Sequence, residues 1–277
     1  NEIEDKVNFS DFKENHLNII TLKIPDNIIL GEQNIKFASF VKNSIITCVK
    51  TQMESIASAI VTNPINKKMM YRSGFKFQGH TDFLASLSKN KKIPVMMLVS
   101  SELKTIPLTI HVPLKNVPKL ISKDLIEITI NIAKESLISF FNISKPRIVV
   151  TGLNPHSGEN GDIGDEEEKI IIPAIKKAKQ KQDCLLEGPI SADTAFSSER
   201  RKNYDVVICM YHDQALIPIK TLDFFNGVNV TLGLDFIRTS PDHGTGFDIA
   251  GKNVANPNSL IAAINMAYKM STNKNNG

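Results

Sequence analysis

The sequence predicts an α/β protein with a largely parallel sheet covered on both faces, and three observations predict it. Apolar runs without alternation, such as Arg147–Thr151 and Val206–Met210, recur between stretches of helical period. Strands buried on both faces read as continuous apolar runs, whereas half-exposed strands alternate. Hydrophobic residues make up 42% and charged residues 22% of 277, enough to build a packed core and incompatible with a disordered chain. The length suits one large or two modest domains, and no repeat or Ser/Gly linker divides it. Two α/β subdomains are therefore expected to be interlaced, the chain crossing between them more than once.

Taken in order, a short strand is expected within Asn18–Ile24, in an otherwise irregular opening. Phe37, Val41, Ile45, Cys48, Val49, Met53 and Ile56 then fall at helical spacing. Ala59–Thr62 reads as a buried strand stopped by Asn63-Pro64. A helix follows from Asn66 to near Gly74, and another starts at Thr81. Val95–Ser100 and Leu108–His111 read as strands, and Lys123–Phe141 as the clearest amphipathic helix. Arg147–Thr151 is a strand and Glu166–Lys179 a helix with acids at its start, which favour a helix N-terminus. Val206–Met210 and Gly227–Leu232 are strands, and Ser259–Met270 closes the chain as a helix.

Composition excludes several functions. Basic residues exceed acidic ones by only 33 to 29, and no basic run interleaved with aromatics occurs, so a nucleic-acid partner is not expected. No apolar run reaches 18 residues, so no membrane span is expected. The opening NEIEDKVNFSDF has neither the basic nor the apolar region of a signal peptide. It also lacks a methionine, so the chain is expected to begin inside a longer protein or to join pieces of one. Cys48, Cys184 and Cys209 form no CxxC pair. That argues against a disulfide scaffold or a cysteine zinc site and for a reducing, cytoplasmic setting.

Three of the six histidines share a context. His111 ends PLTIH, His156 follows RIVVTG within TGLNPH, and His212 follows VVICM. Ligands of parallel sheets gather beyond the carboxyl ends of strands, and three imidazoles with an open fourth position suit a catalytic divalent metal. A histidine after a strand is more often a plain hydrogen-bonding loop residue, and no short ligand pair such as HExxH supports the metal. The residues alone leave the two readings near even. Asp213 either orients the His212 ring or caps a helix starting at Gln214. GTGFDIAG within Gly233–Gly251 falls short of a dinucleotide fingerprint, because Ile249 stands where the third glycine belongs. Arg238, between LDFI and Thr-Ser-Pro, suits two parallel bonds to a phosphate.

Several long, ordered strings carry a resemblance: GHTDFLA (Gly79–Ala85), TGLNPHSGE (Thr151–Glu159), GPISADTAF (Gly188–Phe196), MYHDQALIPIK (Met210–Lys220) and GVNVTLGLDFIRTSPDHGTGFDIAG (Gly227–Gly251), with SLIAAINMAYKM near the end. From about Ala59 to Met270 the chain resembles the 4-hydroxythreonine-4-phosphate dehydrogenase family of vitamin B6 synthesis. The resemblance implies a two-domain fold like isocitrate and isopropylmalate dehydrogenases, with an interdomain cleft, residues 1–277 forming one catalytic unit, and a homodimer. It implies NAD(P)-dependent oxidation of 4-phosphohydroxy-L-threonine and decarboxylation to 3-amino-2-oxopropyl phosphate, assisted by one divalent ion (zinc, magnesium or cobalt). It places the metal on His111, His156 and His212, with one histidine from a partner subunit as an option. It places the substrate on His80, Thr81, Lys220, Asn229 and Arg238, and the cofactor near Asp242, His243 and Gly244. The apolar segment Val95–Val112 is a candidate for lying near the subunit boundary. The general base is not assigned.

Two departures stand out. The family's Gly/Pro-rich opening of the type GDPxGIGPE has no counterpart, and TNPINK (Thr62–Lys67) stands where a Gly-Pro pair is common. Relatives acting on 4-phosphoerythronate, phosphothreonate or a ring dihydrodiol keep a second substrate open. A metal-dependent hydrolase and a non-catalytic binding protein are the readings from other classes. Turnover without NAD(P)+ marks the first, and ligand binding without turnover the second.

Overall fold

The computed structural model describes residues 2–3, 12–24, 27–181 and 184–275. The opening NEIEDKVNFSDF lies outside the described residues except for Glu2, Ile3 and Phe12. The chain forms two compact units, Asn1–Lys92 with Leu234–Tyr268, and Ile93–Gly233 with Lys269–Gly277.

Along the chain, β1 (Glu2–Ile3) pairs in parallel with β2 (Ile19–Ile20). A 3-10 turn at Ile35–Phe37 leads into α1 (Ala38–Met53), which buries Ala38, Ile45 and Val49. Next come β3 (Ile60–Val61), α2 (Lys67–Arg72) and α3 (His80–Leu87). The Asn66 side chain accepts from the Met69 N–H and so starts α2 where the sequence places it.

The second unit opens with β4 (Val95–Val99) and β5 (Lys104–Thr109), then α4 (Val117–Leu120) and α5 (Lys123–Phe141). β6 (Arg147–Thr151), α6 (Ile172–Lys181) and β7 (Leu185–Ile190) follow. Two single turns, α7 (Ala192–Ala195) and α8 (Ser198–Arg201), precede β8 (Val206–Tyr211), α9 (His212–Leu222) and β9 (Val228–Leu232). β10 (Arg238–Pro241) returns to the first unit, and α10 (Asn258–Asn275) closes the chain.

In the second unit the strands run β9-β4-β5-β8-β6-β7. The β5-β8-β6-β7 part is parallel, while β4 is antiparallel to both β5 and β9, so this sheet is mixed rather than largely parallel. The antiparallel step arises because only four residues separate β4 from β5, too few for a parallel crossover. β8 lies between β5 and β6, and Val206–Met210 is completely buried. Its neighbours Leu98, Leu103, Val149 and Tyr204 join Ile219 of α9 in one core. α5 is capped by Ser122, whose hydroxyl accepts from Leu125 N, and by left-handed Asn142. Its Ile126, Ile130, Ala133 and Leu137 recur on one face and are fully buried. Each of the larger three contributes roughly 1.5–3 kcal/mol by leaving water.

In the first unit, β3 and β10 are parallel, with Arg238 opposite Ile60. Phe75, Phe77 and Phe83 meet with ring centroids 5.1–5.2 Å apart beside Ile45, Val49 and Phe236.

One expected boundary shifts. The strand read at Leu108–His111 begins at Lys104 and stops at Thr109, which leaves His111 in a left-handed turn. Within Val95–Val112 the strands themselves are interior to the second unit, and only flanking residues such as His111 and Val112 are exposed.

Candidate active site

The carboxyl ends of β5, β8 and β6 lie side by side, because these strands are parallel neighbours. Side chains tie the three ends together. The Thr109 hydroxyl donates to the Met210 carbonyl at 2.8 Å, which links β5 to β8. Gln214 links β8 to β6: its Oε1 accepts from Met210 N (2.7 Å) and Thr151 Oγ1 (2.8 Å), and its Nε2 donates to the Gly152 carbonyl (3.0 Å).

His111 stands two residues beyond β5 at φ 52°, and His212 opens α9 directly after β8. Their ring centroids are 5.8 Å apart. With Thr109, Val112, Leu114 and Tyr211 they line a concavity of about 260 Å³. His212 Nδ1 lies 2.7 Å from Asp213 Oδ1. An ionised carboxylate only accepts, so Nδ1–H donates and the Nε2 lone pair is left for a ligand. Asp213 thus orients the ring. It does not cap a helix at Gln214, since α9 has already begun at His212.

His156 occupies a different place. Residues 156–160 (His, Ser, Gly, Glu, Asn) all have positive φ, from 45° to 83°. Left-handed backbone costs roughly 1–2 kcal/mol for each residue other than glycine, so the turn persists only because its surroundings hold it. Close against it at Gly158 lies Glu167, which is 1% exposed. Its Oε1 accepts from the backbone N–H of Leu153 (2.7 Å) and Asn154 (2.8 Å), and its Oε2 from Asn154 Nδ2 (2.9 Å). The His156 ring pairs with Glu159, Nδ1 to Oε2 at 2.8 Å, again leaving Nε2 for a ligand. It lies on the β7 side, within electrostatic reach of Asp193, whose carboxyl is held low mainly by the Ser191 hydroxyl and less by this imidazole. The structure therefore joins His111 with His212, and His156 is not among the residues lining their concavity. Among the described residues no group of three or more His, Cys, Asp or Glu is placed to hold a metal.

In the first unit, His80 and Thr81 open α3, and Arg238 opens β10. Arg238 is 4% exposed, and its Nε and Nη2 donate to Thr62 Oγ1 at 3.2 and 2.7 Å. Burial lowers its pKa to about 10, so it stays a cation at neutral pH. Burial, and then the charge of Arg238, lower the His80 pKa to about 3, so that imidazole is neutral. His80 Nε2 is buried without a hydrogen-bond partner. In the second unit Asn229 Oδ1, on β9, is likewise buried and unpartnered, and Lys220 Nζ sits 5.0 Å from the Phe224 ring centroid. Buried polar atoms are rarely left unpaired.

Asp242, His243 and Gly244 form the loop after β10. The Asp242 N–H donates to Ser259 Oγ at 3.1 Å, and His243 Nδ1 bonds the Gly244 carbonyl at 2.8 Å. A Cβ at Gly244 would meet nothing within 4 Å, so the surface there is open. GTGFDIAG makes a 3-10 turn at Phe247–Ile249, not the strand-to-helix turn of a dinucleotide fold.

The family model described as "Pyridoxal phosphate biosynthetic protein PdxA" matches residues 1–267. The chain belongs to the PdxA family. A family relative from Bradyrhizobium diazoefficiens, named 4-hydroxythreonine-4-phosphate dehydrogenase, is 49% identical over 247 residues, 88% of this chain and 71% of that protein. The crystal structure of 4-hydroxythreonine-4-phosphate dehydrogenase from Klebsiella pneumoniae superposes with a TM-score of 0.84 at 36% identity, covering 92% of this chain and 78% of that one. A terephthalate 1,2-cis-dihydrodiol dehydrogenase from Burkholderia xenovorans shares the fold, with a TM-score of 0.67 at 23% identity over 91% and 80% of the two chains.

Sequence reading of this PdxA-family chain did not find Thr62, Thr109, Glu167 or Gln214. Nothing in the run Asp165–Glu168 marks one acid as buried, and a threonine or glutamine at a strand end carries no chemical signal until its partners are known.

Proposed function

We propose that the chain oxidises 4-phosphohydroxy-L-threonine with NAD(P)+ and releases carbon dioxide to give 3-amino-2-oxopropyl phosphate, in pyridoxal phosphate biosynthesis. The observation that carries this is the 49% identity, over 88% of the chain, to a relative named for that activity.

The residues support the chemistry. His111 and His212 stand together, and His156 and His212 each have Nδ1 on a carboxylate, an arrangement suited to Nε2 ligation of a divalent ion. We assign the ion to these three histidines and the third imidazole to a second copy of the chain, a reading supported by the absence of His156 from the lining of the His111–His212 concavity. The exposed His111, Val112 and Leu114 around the pocket support a homodimer. When bound, the ion would supply Lewis-acid polarisation at the substrate hydroxyl, and the nicotinamide would supply the hydride acceptor.

Arg238 and Lys220 hold the substrate's phosphate and carboxylate. His80 is neutral, so it meets the substrate with Thr81 as a hydrogen-bond partner and adds no second cation beside Arg238. The Asn229 Oδ1 acceptor suits the substrate's ammonium or hydroxyl. Asp242, His243 and Gly244 would hold the nicotinamide cofactor. The hydroxyl proton leaves in the first step, the carbon–carbon bond to the carboxylate breaks in the second, and the enolate takes a proton back. No helix among the described residues is long and apolar enough to cross a membrane. None of Cys48, Cys184 and Cys209 lies in a disulfide, which suits a reducing cytoplasm.

The test follows NAD(P)H absorbance with 4-phosphohydroxy-L-threonine, 4-phosphoerythronate and phosphothreonate, each at equal concentration with divalent metal. Highest kcat/KM on the first, with carbon dioxide released in step, is expected. A clear preference for either of the others would overturn the substrate assignment.

A further inference from the structure

We propose that Glu167 is a positioning residue for His156, fixing where that imidazole stands; the inference rests on reading His156 as a metal ligand. Glu167 heads the helical segment that continues into α6, beginning with one wide turn, Glu167–Ile171. Its neighbours Asp165, Glu166 and Glu168 would serve a helix N-terminus as well from the surface. Glu167 alone of the four is buried.

Each of its oxygens is spent on the two residues before Pro155-His156, through three N–H donors. The left-handed turn is wrapped against it. A Cβ at Gly158 would stand 2.8 Å from Glu167 Oε2, and one at Gly152 3.0 Å from Oε1, so both glycines keep room for the carboxylate. The chain leaves β6, passes over Glu167 and reverses its hand at His156. Moving the carboxylate therefore moves the imidazole.

The experiment titrates metal-free full-length protein with Co2+ and reads the visible absorbance of the bound ion, alongside a melting curve. Four proteins are compared: parent, His156→Ala, Glu167→Gln and Asn154→Ala. Glu167→Gln keeps the shape but sets an NH2 against a donor. Asn154→Ala removes one donor to Glu167 from the other side and serves if the first variant does not fold. Weakening of Co2+ binding by tenfold or more in Glu167→Gln, and by a smaller factor in Asn154→Ala, is expected among folded molecules. Parental Co2+ affinity in His156→Ala would overturn the ligand assignment and this inference with it. Weakened binding in His156→Ala beside parental affinity in the folded Glu167 or Asn154 variants would overturn the inference alone, and a lowered melting temperature would then be the whole role of Glu167.

Discussion

His80 and Arg238 share one buried corner of the first unit, and the imidazole is neutral because of burial and the neighbouring guanidinium. A folded-state pKa near 3, against about 6.5 when unfolded, means that the unfolded chain alone takes up a proton as pH falls below about 6.5. Stability is therefore unaffected by His80 above that pH and is lost progressively between about 6.5 and 3. At pH 5 the loss is on the order of 1–2 kcal/mol. Melting curves at pH 7.5 and 5 should show that His80→Gln loses less than the parent on acidification. An equal drop in both would remove His80 from the acid response. Arg238→Lys keeps the charge but not the fork on Thr62, so kcat/KM should fall by roughly one to two decades, the worth of a charge-assisted contact. Lys220→Met should lower kcat/KM by a similar factor while melting near the parent, because the half-buried Lys220 over the Phe224 ring is worth only about 1 kcal/mol and Met keeps much of the stem's packing. Unchanged kcat/KM in either variant would end its substrate role, and collapse of activity together with melting temperature would make it structural.

At the scale of elements, side-chain bonds between strand ends give the site its rigidity. Gln214→Met leaves Met210 N, Thr151 Oγ1 and the Gly152 carbonyl to find new partners, at roughly 1–3 kcal/mol for each that fails. The urea midpoint should fall clearly with the slope unchanged. Gln214→Glu keeps the acceptor and should fall less. Midpoints equal to the parent in both would show that the brace carries nothing. The same elements show what could be read in advance. Lys123–Phe141 was legible because Ser122 caps it and Ile126, Ile130 and Leu137 repeat at helical spacing. β7 was not, because LLEGPI carries an acid, a glycine and a proline, and an edge strand tolerates all three. β10 was not either. Arg238, Thr239 and Ser240 are polar yet 0–5% exposed, with Arg238 bonded to Thr62 and Thr239 to the Ala263 carbonyl, so the apolar pattern that announces a buried strand is absent. The histidines were legible as strand-end residues. That His111 and His212 pair in one concavity while His156 sits in a left-handed turn outside its lining was not, since no residue pattern announces that turn.

For the whole molecule, the copy from which His156 reaches the His111–His212 pair decides how many copies a site needs. If the ion takes two imidazoles from one copy and one from another, each site of a two-fold dimer is shared, and damage on the two sides is complementary. His156→Ala and His212→Ala should each be inactive alone. Mixed in equal amounts and allowed to exchange subunits, half of the dimers carry one chain of each kind. In such a dimer one site has lost both groups and the other has lost neither, so about a quarter of parental activity should return. The returned activity should need added divalent metal and vanish with a chelator, and sedimentation should show a dimer throughout. If all three histidines instead met within one copy, every site in the mixture would lack a ligand and no activity would return however thoroughly the subunits exchanged. A mixture that stays inactive, with exchange demonstrated by a tagged chain, would therefore overturn the shared site and leave the dimer without a part in the chemistry.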